Sequence, residues 1–286
     1  MDSRPRNLFW LVRQSIYLDL RVLFRLKRWP VSQRIEFILK KYLFFLMQLQ
    51  KPLEIGNSFV AFAGTKLYCG TYWGLADYQS MLTRLERLLD VAEVDKVSTV
   101  IDIGANVGFY TKMISEKFGN PTIYAFEPVK RAYECLVKNV NGLHNVKTYN
   151  LAVSNTNGSI RMSFDSNNSL ISKQDDSGSE VVDTVSLDSF CEANRIEVID
   201  ILKIDVETFE HMVLAGAKQT LAKTRYLMLE VTLEGNTNYT ISRLLGMLYS
   251  DKYNFQLVSF RNYADVYEGK VTVMDTVFVN TAMQKI

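Results

Sequence analysis

The stretch "TVIDIGANVGFY", residues 99–110, decides the fold of this 286-residue chain. Its apolar beginning runs into Asp102, and Gly104 and Gly108 then enclose a short polar turn. In parallel α/β sheets, ligands bind where a strand gives way to a helix through such a turn. Gly104 allows a sharp bend and Gly108 allows close packing of the helix, which is predicted to begin near Val107. We expect the free amides of this helix to face a ligand.

A second acidic residue, Glu127, lies nineteen residues after Gly108 and follows the next apolar run, in "IYAFEP". A carboxylate at this place accepts hydrogen bonds from both hydroxyls of a ribose, and it repels a 2′-phosphate. The glycine spacing is GxxxG, which differs from the GxGxxG of dinucleotide-binding enzymes. The loop and the acid together indicate a ligand of the adenosine type. A tight turn without a ligand is the alternative interpretation.

Strands and helices alternate after this loop, which predicts an α/β fold with a doubly wound, mostly parallel seven-stranded sheet. A helix at 238–250 then precedes two strands, 253–260 and 270–280, which are expected to form a C-terminal antiparallel hairpin at the sheet edge. The other predicted strands lie at 98–103, 122–127, 146–153, 158–164, 199–205 and 225–231, and the helices at 107–118, 130–140 and 208–222.

The residues before the loop predict a different organisation. Apolar side chains recur every three or four residues in two helices, 8–28 and 32–50. Residues 58–69 predict two short strands that turn at Ala63–Gly64, and a helix follows at 77–90. The predicted segments are a basic amphipathic helical arm (1–57), a strand pair and helix leading into the core (58–96), and a Rossmann-like domain (97–286).

Charge is distributed unevenly along the chain. Residues 1–51 hold eleven Lys and Arg against three Asp and Glu, a net charge of +8, whereas the whole chain carries +2. We favour packing of this arm on the catalytic body or on a second subunit, as a homodimer contact. The alternative is peripheral membrane contact, with Trp10, Trp29 and Phe44 at the interface of anionic lipid. Nucleic-acid binding is not expected, because the rest of the chain carries a net charge of −6.

The cysteines and the hydropathy indicate a cellular compartment. Cys69, Cys135 and Cys191 lie far apart, and such a sparse, odd set favours a reducing compartment over disulfides or a zinc site. We recognise no signal peptide, and no apolar run approaches the roughly 20 residues of a membrane span. We therefore expect a cytoplasmic protein, with attachment of the arm to the inner face of the membrane as the open alternative.

Five blocks of sequence occur in an order that is typical of one family. They are "VIDIGANVGFYT", "IYAFEPVKRAYECLVKNV", "NLAVSNTNG", "IDILKIDVETFEHMVLAGA" and "YLMLEV". Together they resemble the motifs of FkbM-type S-adenosylmethionine-dependent methyltransferases, a class I, Rossmann-like family, over about residues 70–280. The resemblance implies S-adenosyl-L-methionine as the cofactor. It also implies O-methylation of a hydroxyl on a sugar, glycan or related natural product, with a small-molecule or glycan acceptor as the partner.

The resemblance also implies roles for individual residues. Asp102 would orient the loop, Glu127 would hold the ribose hydroxyls, and Pro128 would shape the turn after it. The family's usual "DVEG" reads "DVET" here, so Thr208 replaces a glycine; this puts close backbone approach in doubt or adds a hydroxyl to the substrate pocket. The other implied cofactor contacts are Gly104, Ala105, Asn106 and Gly108 at the methionine and ribose, and Leu151, Ala152 and Val153 at the adenine.

Carboxylates at strand ends are the predicted catalytic groups. Asp205 ends the fourth strand and Glu230 the fifth, so both are expected to project toward the cofactor's sulfonium. Asp205 is the leading candidate for base or acceptor anchor, with Glu207 and Glu230 beside it. Glu207 and Glu210 can instead cap the next helix. A divalent cation shared by Asp205, Glu207 and Glu230 is a further alternative, but no DxD-like cluster supports it and we predict no metal.

Three further features have structural interpretations beside functional ones. Lys203 is expected to form a structural ion pair with Asp205 or with an outer helix. His211 is expected to be packed or solvent-facing rather than a base. The polar stretch 165–180 is either a solvated loop or a lid over the substrate.

Two other functions remain open from the sequence. An NAD-dependent oxidoreductase shares the doubly wound sheet and the ribose acid, although the glycine spacing and the terminal hairpin speak against it. A non-catalytic scaffold that binds an adenosyl ligand through a degenerate methyltransferase fold is the other, and Thr208 is its best support.

Overall fold

The computed structural model describes residues 8–25, 29–50, 59–62, 65–68, 89–90, 94, 96–164, 172–174, 180–232, 241–249, 253–263 and 273–283. The chain divides into two compact units, Met1–Arg87 and Leu88–Ile286. Each unit is described by itself. The boundaries at residues 57 and 96 that the sequence suggests stay predictions.

The first unit contains two helices and a strand pair. Helix α1 (Leu8–Arg25) and helix α2 (Val31–Gln50) are followed by strands β1 (Phe59–Phe62) and β2 (Thr65–Tyr68), which pair antiparallel. The two predicted helices and the predicted strand pair are therefore confirmed. The turn at Ala63–Gly64 and residues 77–88 of the helix predicted at 77–90 lie outside the described residues, as do Cys69 and the side chains of Trp10 and Phe44.

The second unit is built on alternating strands and helices. In chain order its elements are β3 (Thr99–Ile103), α3 (Phe109–Lys117), β4 (Thr122–Phe126), α4 (Lys130–Asn139), β5 (Val146–Tyr149), β6 (Ala152–Ser154), β7 (Gly158–Phe164), β8 (Ser172–Gln174), β9 (Glu180–Ser186), α5 (Leu187–Ala193), β10 (Ile199–Ile204), α6 (Glu210–Ala215), β11 (Thr224–Thr232), α7 (Ile241–Leu248), β12 (Phe255–Tyr263) and β13 (Val273–Asn280).

Seven of these strands form the main sheet, in the order β12-β13-β11-β10-β3-β4-β5. The five strands from β11 to β5 are parallel, whereas β13 runs antiparallel to both β11 and β12. The predicted fold class and terminal hairpin are thus confirmed. In this hairpin β12 is the edge strand, and β13, the last strand of the chain, lies between β12 and β11. Residues of β13 therefore pair directly with those of β11.

Burial on both faces explains the apolar character of the central strands. All six residues of β10 are buried, and four of the five residues of β3 are. Around them the core contains the aromatic rings of Phe126, Tyr149 and Phe190, whose centroids lie 4.8–5.0 Å apart. This packed core fixes the positions of the loops at the carboxyl ends of β3, β4 and β10.

A smaller four-stranded sheet, in the order β6-β9-β7-β8, was not predicted as such. The predicted strand 146–153 is two strands interrupted at Asn150 and Leu151, and the second strand belongs to this smaller sheet. Residues Ser172–Gln174, predicted to be loop, pair with β7. The remainder of 165–179 lies outside the described residues, so the lid stays a prediction.

The helix predicted at 208–222 is much shorter than expected, since α6 covers only Glu210–Ala215. Its start is delayed because Glu207 and Thr208 have positive φ angles of 52° and 83°. Two consecutive left-handed residues cannot belong to a right-handed helix. They form instead a tight turn between β10 and α6, and this turn lies at the candidate site.

Candidate active site

Both glycines of the opening loop have left-handed φ angles and close neighbours, in agreement with the sharp turn predicted at Gly104 and the close helix packing predicted at Gly108. Gly104 has a φ of +76°, and a Cβ atom there would lie 1.8 Å from the carbonyl oxygen of Asp205. Gly108 has a φ of +85°, and its Cβ would lie 2.5 Å from Cδ1 of Leu136. The first glycine therefore lets β3 and β10 end side by side, and the second lets α3 pack on α4. A side chain at either position would displace the loop.

The amides of Gly104, Ala105 and Asn106, which precede the helix, are used within the protein, whereas the expectation that the free amides of the helix itself face a ligand stays a prediction. Helix α3 begins at Phe109 rather than near Val107. The amides of Gly104 and Ala105 donate to the carbonyl oxygen of Phe126, at 3.0 and 2.9 Å. The amide of Asn106 donates to the carboxylate of Glu127 at 2.8 Å. The loop is thereby held against the end of β4, and Glu127 becomes its central polar group.

Glu127 is a buried carboxylate with hydrogen-bonding capacity to spare. One oxygen accepts from the amide of Asn106 and the other from the amide of Val129, each at 2.8 Å. Burial raises the pKa of Glu127 to about 7, and these two amides and the Lys203 ammonium act in the opposite direction. An ionised carboxylate offers about four lone-pair positions, so two remain for a ligand's hydroxyls. This agrees with the role expected of a ribose acid.

A buried lysine connects the loop to the next strand. Lys203 Nζ lies 3.4 Å from a carboxylate oxygen of Asp102 and 3.2 Å from one of Asp205. It also donates to the carbonyl oxygen of Gly104, at 3.2 Å. Burial alone lowers the pKa of Lys203, but Asp205 and Asp102 outweigh it and the pKa lies above its ordinary value. The predicted ion pair with Asp205 is confirmed.

Asp102 is fully buried and orients the loop indirectly. Its second oxygen accepts from the hydroxyl of Thr111 at 2.5 Å. Asp102 therefore links β3 to α3 through Thr111, and to the carbonyl of Gly104 through Lys203. Asp102 therefore acts on the loop through Thr111 and Lys203, and not by direct contact with a ligand.

Three carboxylates meet where the parallel pairing of β10 with β11 ends, with Glu230 still inside β11 rather than at its end as predicted. One oxygen each from Asp205, Glu207 and Glu230 lies within 4.8 Å of the others. Burial raises the pKa of Glu230 well above its ordinary value, and Asp205, Asp275 and Glu207 raise it further. Asp275 is opposite Glu230 in the β11–β13 register. The structure brings together all three predicted catalytic residues. We call Asp205, Glu207 and Glu230 the carboxylate cluster.

Structural roles were considered for Glu207, Glu210 and His211, which lie close to the carboxylate cluster in the sequence. Glu210 is buried at the start of α6 and accepts from the amide of Val206, in the turn before the helix, so it fixes this turn rather than capping a free amide of the helix. Glu207 precedes that helix and belongs to the carboxylate cluster. His211 stacks beside Phe209, with ring centroids 6.4 Å apart, and burial lowers its pKa. The expectation that His211 is a packed residue agrees with this placement.

The segment expected to flank the adenine is mostly in the core. The side chains of Ala152 and Val153 are buried, and Leu151 packs partly buried against the core around Val153. Leu151 and the backbone of this segment are therefore what a ligand could contact. The turn at Pro128 is fixed from here, since the Asn150 amide donates to the carbonyl oxygens of Glu127 and Pro128.

Sequence reasoning did not identify several residues that support the site. They include Thr111 and Asn150, and also Asp275 and the contact between Lys203 and Asp102. One signal was available for the lysine. A lysine within the otherwise apolar "ILKI" (201–204) is costly to bury unless a carboxylate lies opposite it. The partner itself depends on the pairing of Lys203 with Asp102 between β10 and β3.

The residues present fit an adenosyl sulfonium ligand. Gly104 leaves no room for a side chain at the loop, and Glu127 keeps acceptor capacity for two hydroxyls. The carboxylate cluster supplies negative charge for a cationic sulfur. The same three carboxylates are also the donor type that a hard divalent cation prefers. The expectation that no metal binds stays a prediction.

Fold and site together define this chain as a class I methyltransferase-type α/β protein. The sheet is doubly wound, its last strand is inserted antiparallel, and a buried acid follows the second parallel strand. More particularly, the chain belongs to the FkbM methyltransferase family, since the sequence model of the Methyltransferase FkbM domain matches residues 102–257. The resemblance read from the five motifs is thereby confirmed.

Two relatives carry named activities. The chain is 28% identical over 150 residues to the 2-O-methyltransferase NoeI of Sinorhizobium fredii, and the match covers 46% of this chain and 62% of NoeI. It is 27% identical over 162 residues to the hexuronic acid methyltransferase AglP of Haloferax volcanii, covering 56% of this chain and 65% of AglP. The chain thus spans somewhat less than two thirds of either relative.

Solved structures with similar folds include a magnesium protoporphyrin IX methyltransferase from Synechocystis with bound S-adenosylmethionine. It shares 11% identity and a TM-score of 0.45, over 73% of this chain and 82% of that protein.

Proposed function

We propose that this protein is an S-adenosylmethionine-dependent O-methyltransferase that acts on a hydroxyl of a sugar or glycan. The observation that carries the proposal is the Glu127 carboxylate, which is buried, held by the amides of Asn106 and Val129, and placed beside the Gly104 turn. Family membership supports the reaction class. The named activities of NoeI and AglP support an oxygen acceptor and a carbohydrate.

The cofactor would be held mainly by the loop and by Glu127. When bound, S-adenosylmethionine supplies a methyl group on a positively charged sulfur. Ionised Glu127 would accept hydrogen bonds from the two ribose hydroxyls with its remaining lone pairs. Gly104, Ala105, Asn106 and Gly108 would line the ribose and methionine portion. The fixed loop lowers the entropic cost of placing the reacting groups in line.

The carboxylate cluster would position the acceptor and take its proton. The side chain of Asp205 is 33% exposed, so it can meet an acceptor hydroxyl while Lys203 holds it from the other side. As the acceptor oxygen gains the methyl group, its proton passes to Asp205. Burial and the neighbouring carboxylate of Asp205 raise the pKa of Glu230, so Glu230 competes with Asp205 for the released proton.

The charge of the cluster also favours one kind of acceptor. Asp205, Glu207 and Glu230 place carboxylates around the same point, and Asp275 lies on the strand next to Glu230. A second anionic group close to this cluster is repelled. We therefore propose that a neutral sugar is preferred over a hexuronic acid, unlike the substrate named for AglP.

Transfer of a radiolabelled methyl group to a panel of neutral sugars, oligosaccharides and hexuronic acids tests the proposal. We expect labelling of a neutral hydroxyl acceptor. Asp205→Asn should lower turnover by roughly 10²–10⁴-fold with little change in cofactor affinity. The matched control is Asp183→Asn, an exposed position on β9 that should keep full activity. Full activity of Asp205→Asn would remove it as the base.

Two further outcomes separate the alternatives. Micromolar binding of S-adenosylhomocysteine without transfer to any acceptor in the panel would favour the scaffold. Selective binding of NAD would favour the oxidoreductase. Running the transfer assay with a chelator tests the metal alternative, because a reaction through a cation held by Asp205, Glu207 and Glu230 would stop.

A further inference from the structure

Helices α1 and α2 expose apolar side chains in continuous stripes. On α1 Ile16, Leu20 and Phe24 are spaced by four residues with Tyr17 beside them, and on α2 the spacing is three or four, which places each set along one helix side. These side chains are 46–71% exposed. We call them the outward apolar face; its residues are Ile16, Tyr17, Leu20 and Phe24 on α1, and Val31, Ile35, Leu39, Leu43 and Leu46 on α2.

The contact between the two helices is, by contrast, partly charged. Lys41 of α2 is fully buried and forms an ion pair with Asp19 of α1, to which the hydroxyl of Tyr42 also donates at 2.5 Å. Lys41 also donates to the hydroxyl of Ser15 at 3.0 Å. Burial lowers the pKa of Lys41, and Asp19 opposes this shift. The helix pair therefore buries an ion pair together with the apolar side chains of Val22 and Phe37, while the outward apolar face stays exposed to water.

An arrangement of this kind predicts that the outward apolar face is covered by an apolar phase or partner. The net charge of residues 1–51 distinguishes a lipid bilayer from a second copy of the chain as the covering surface. Residues 1–51 carry a net charge of +8. A second copy of the chain would bring another +8 to the same contact, whereas an anionic lipid surface attracts each basic residue. Charge complementarity therefore favours the bilayer over self-association.

The geometry of these helices favours a location in the plane of the interface. Among the described residues, none of the helices has the length and apolarity to cross a membrane. A helix with one apolar face and basic residues elsewhere lies parallel to the bilayer, with its apolar side chains among the upper acyl chains. The nine side chains of the outward apolar face supply the buried area that such binding needs.

We propose that helices α1 and α2 bind the surface of an anionic phospholipid bilayer through the outward apolar face. This inference is independent of the proposed methyl transfer, because it uses none of the residues of the candidate active site. It selects the membrane alternative for the basic arm over the packing or homodimer contact that the sequence favoured.

Vesicle flotation with the full-length protein tests the proposal. The probes are phosphatidylcholine vesicles with and without phosphatidylglycerol. We expect binding to the anionic vesicles that weakens as salt is raised, because salt screens the basic residues. Leu39→Glu and Phe24→Glu each place a charge in the face and should weaken binding by roughly tenfold or more. The control is Val181→Glu on β9, 61% exposed against 60% for Leu39, which should bind like the wild type.

Circular dichroism of each variant verifies that the helices are retained. Sedimentation velocity of the wild type and Leu39→Glu is run in parallel. Failure of the wild type to bind anionic vesicles at low salt overturns the proposal. So does equal binding by the wild type and both face variants. A dimer that Leu39→Glu dissociates, without vesicle binding by the wild type, would assign the face to a second copy of the chain instead.

Discussion

The Lys203 ammonium lies 3.2 Å from the carboxylate of Asp205, and its remaining contacts reach back to the loop through Asp102 and the Gly104 carbonyl. One buried cation thus joins the region proposed to bind the cofactor to the region proposed to take the proton. Its position depends on the parallel pairing of β10 with β3. Both regions are therefore expected to respond to changes at Lys203.

Replacing Lys203 with Met should destabilise the protein by about 3–5 kcal/mol, because it leaves Asp102 buried without a compensating cation. Lys218→Met, an exposed lysine in the same unit, should change stability by less than about 0.5 kcal/mol. Urea denaturation at pH 7 measures both. A loss at Lys203 no larger than that at Lys218 would show that the buried cation contributes nothing.

Gly104→Ala should be far more harmful than Gly119→Ala, although both glycines have positive φ angles of 76° and 68°. At Gly119 no atom lies within 4 Å of the added Cβ, so only the backbone strain of about 1–2 kcal/mol applies. At Gly104 the Cβ meets the Asp205 carbonyl, which adds about 1–3 kcal/mol. Thermal denaturation compares the two variants. Equal losses would contradict the close approach of β3 and β10.

Thr208→Gly should leave stability unchanged or raise it by about 1 kcal/mol. Thr208 has a φ of 83°, and a β-branched residue is strained there whereas glycine is not. Thr156→Gly, at an exposed position without a positive φ, should lose about 0.5–1 kcal/mol by backbone entropy. Chemical denaturation distinguishes them. A loss at Thr208 as large as that at Thr156 would mean that contacts of its side chain offset the strain.

Glu127→Gln should remove a pH dependence of stability between pH 4.5 and 7. Burial raises the pKa of Glu127 to about 7 from 4.5, so the folded protein holds this proton where the unfolded chain has lost it. This stabilisation is complete below pH 4.5 and is lost as the pH rises through 7, a change of up to about 3 kcal/mol. The variant should therefore gain stability over the wild type as the pH increases.

Urea titrations of both proteins from pH 4.5 to 8 check this, with Glu134→Gln, at an exposed position on α4, as the control. Parallel profiles for the wild type and Glu127→Gln would contradict the raised pKa. Cofactor affinity of the wild type should also fall below pH 7, since a protonated carboxyl has fewer lone pairs for the ribose hydroxyls.

Much of the fold followed from local sequence patterns. The strand, turn and helix around Gly104 are specified within twelve residues, and alternating strands and helices imply a parallel sheet. The meeting of Asp205 with Glu230 followed as well, because each is the first residue after the parallel pairing of β10 with β11. These features depend on chain order and period, which a single sequence displays.

The features that were missed depend on long-range register or on polar burial. In β9 the inward-facing residues are Val182, Thr184 and Ser186, so two of three are polar and the alternation is hard to recognise. The approach of Asp275 to Glu230 requires the last strand to enter beside β11, far away in sequence. The hydrogen bonds of the Gly104 and Ala105 amides were not predicted, because their acceptor, the carbonyl oxygen of Phe126, lies on the neighbouring strand β4.

Calorimetric titration with S-adenosylhomocysteine at pH 8 tests the central claim most directly. We expect micromolar binding to the wild type, a loss of about 1.5–3 kcal/mol for Glu127→Ala through its charged hydrogen bonds, and no loss for Glu134→Ala. Equal affinity of the wild type and Glu127→Ala, or no heat of binding with either, would contradict the assignment of this carboxylate to an adenosyl ligand.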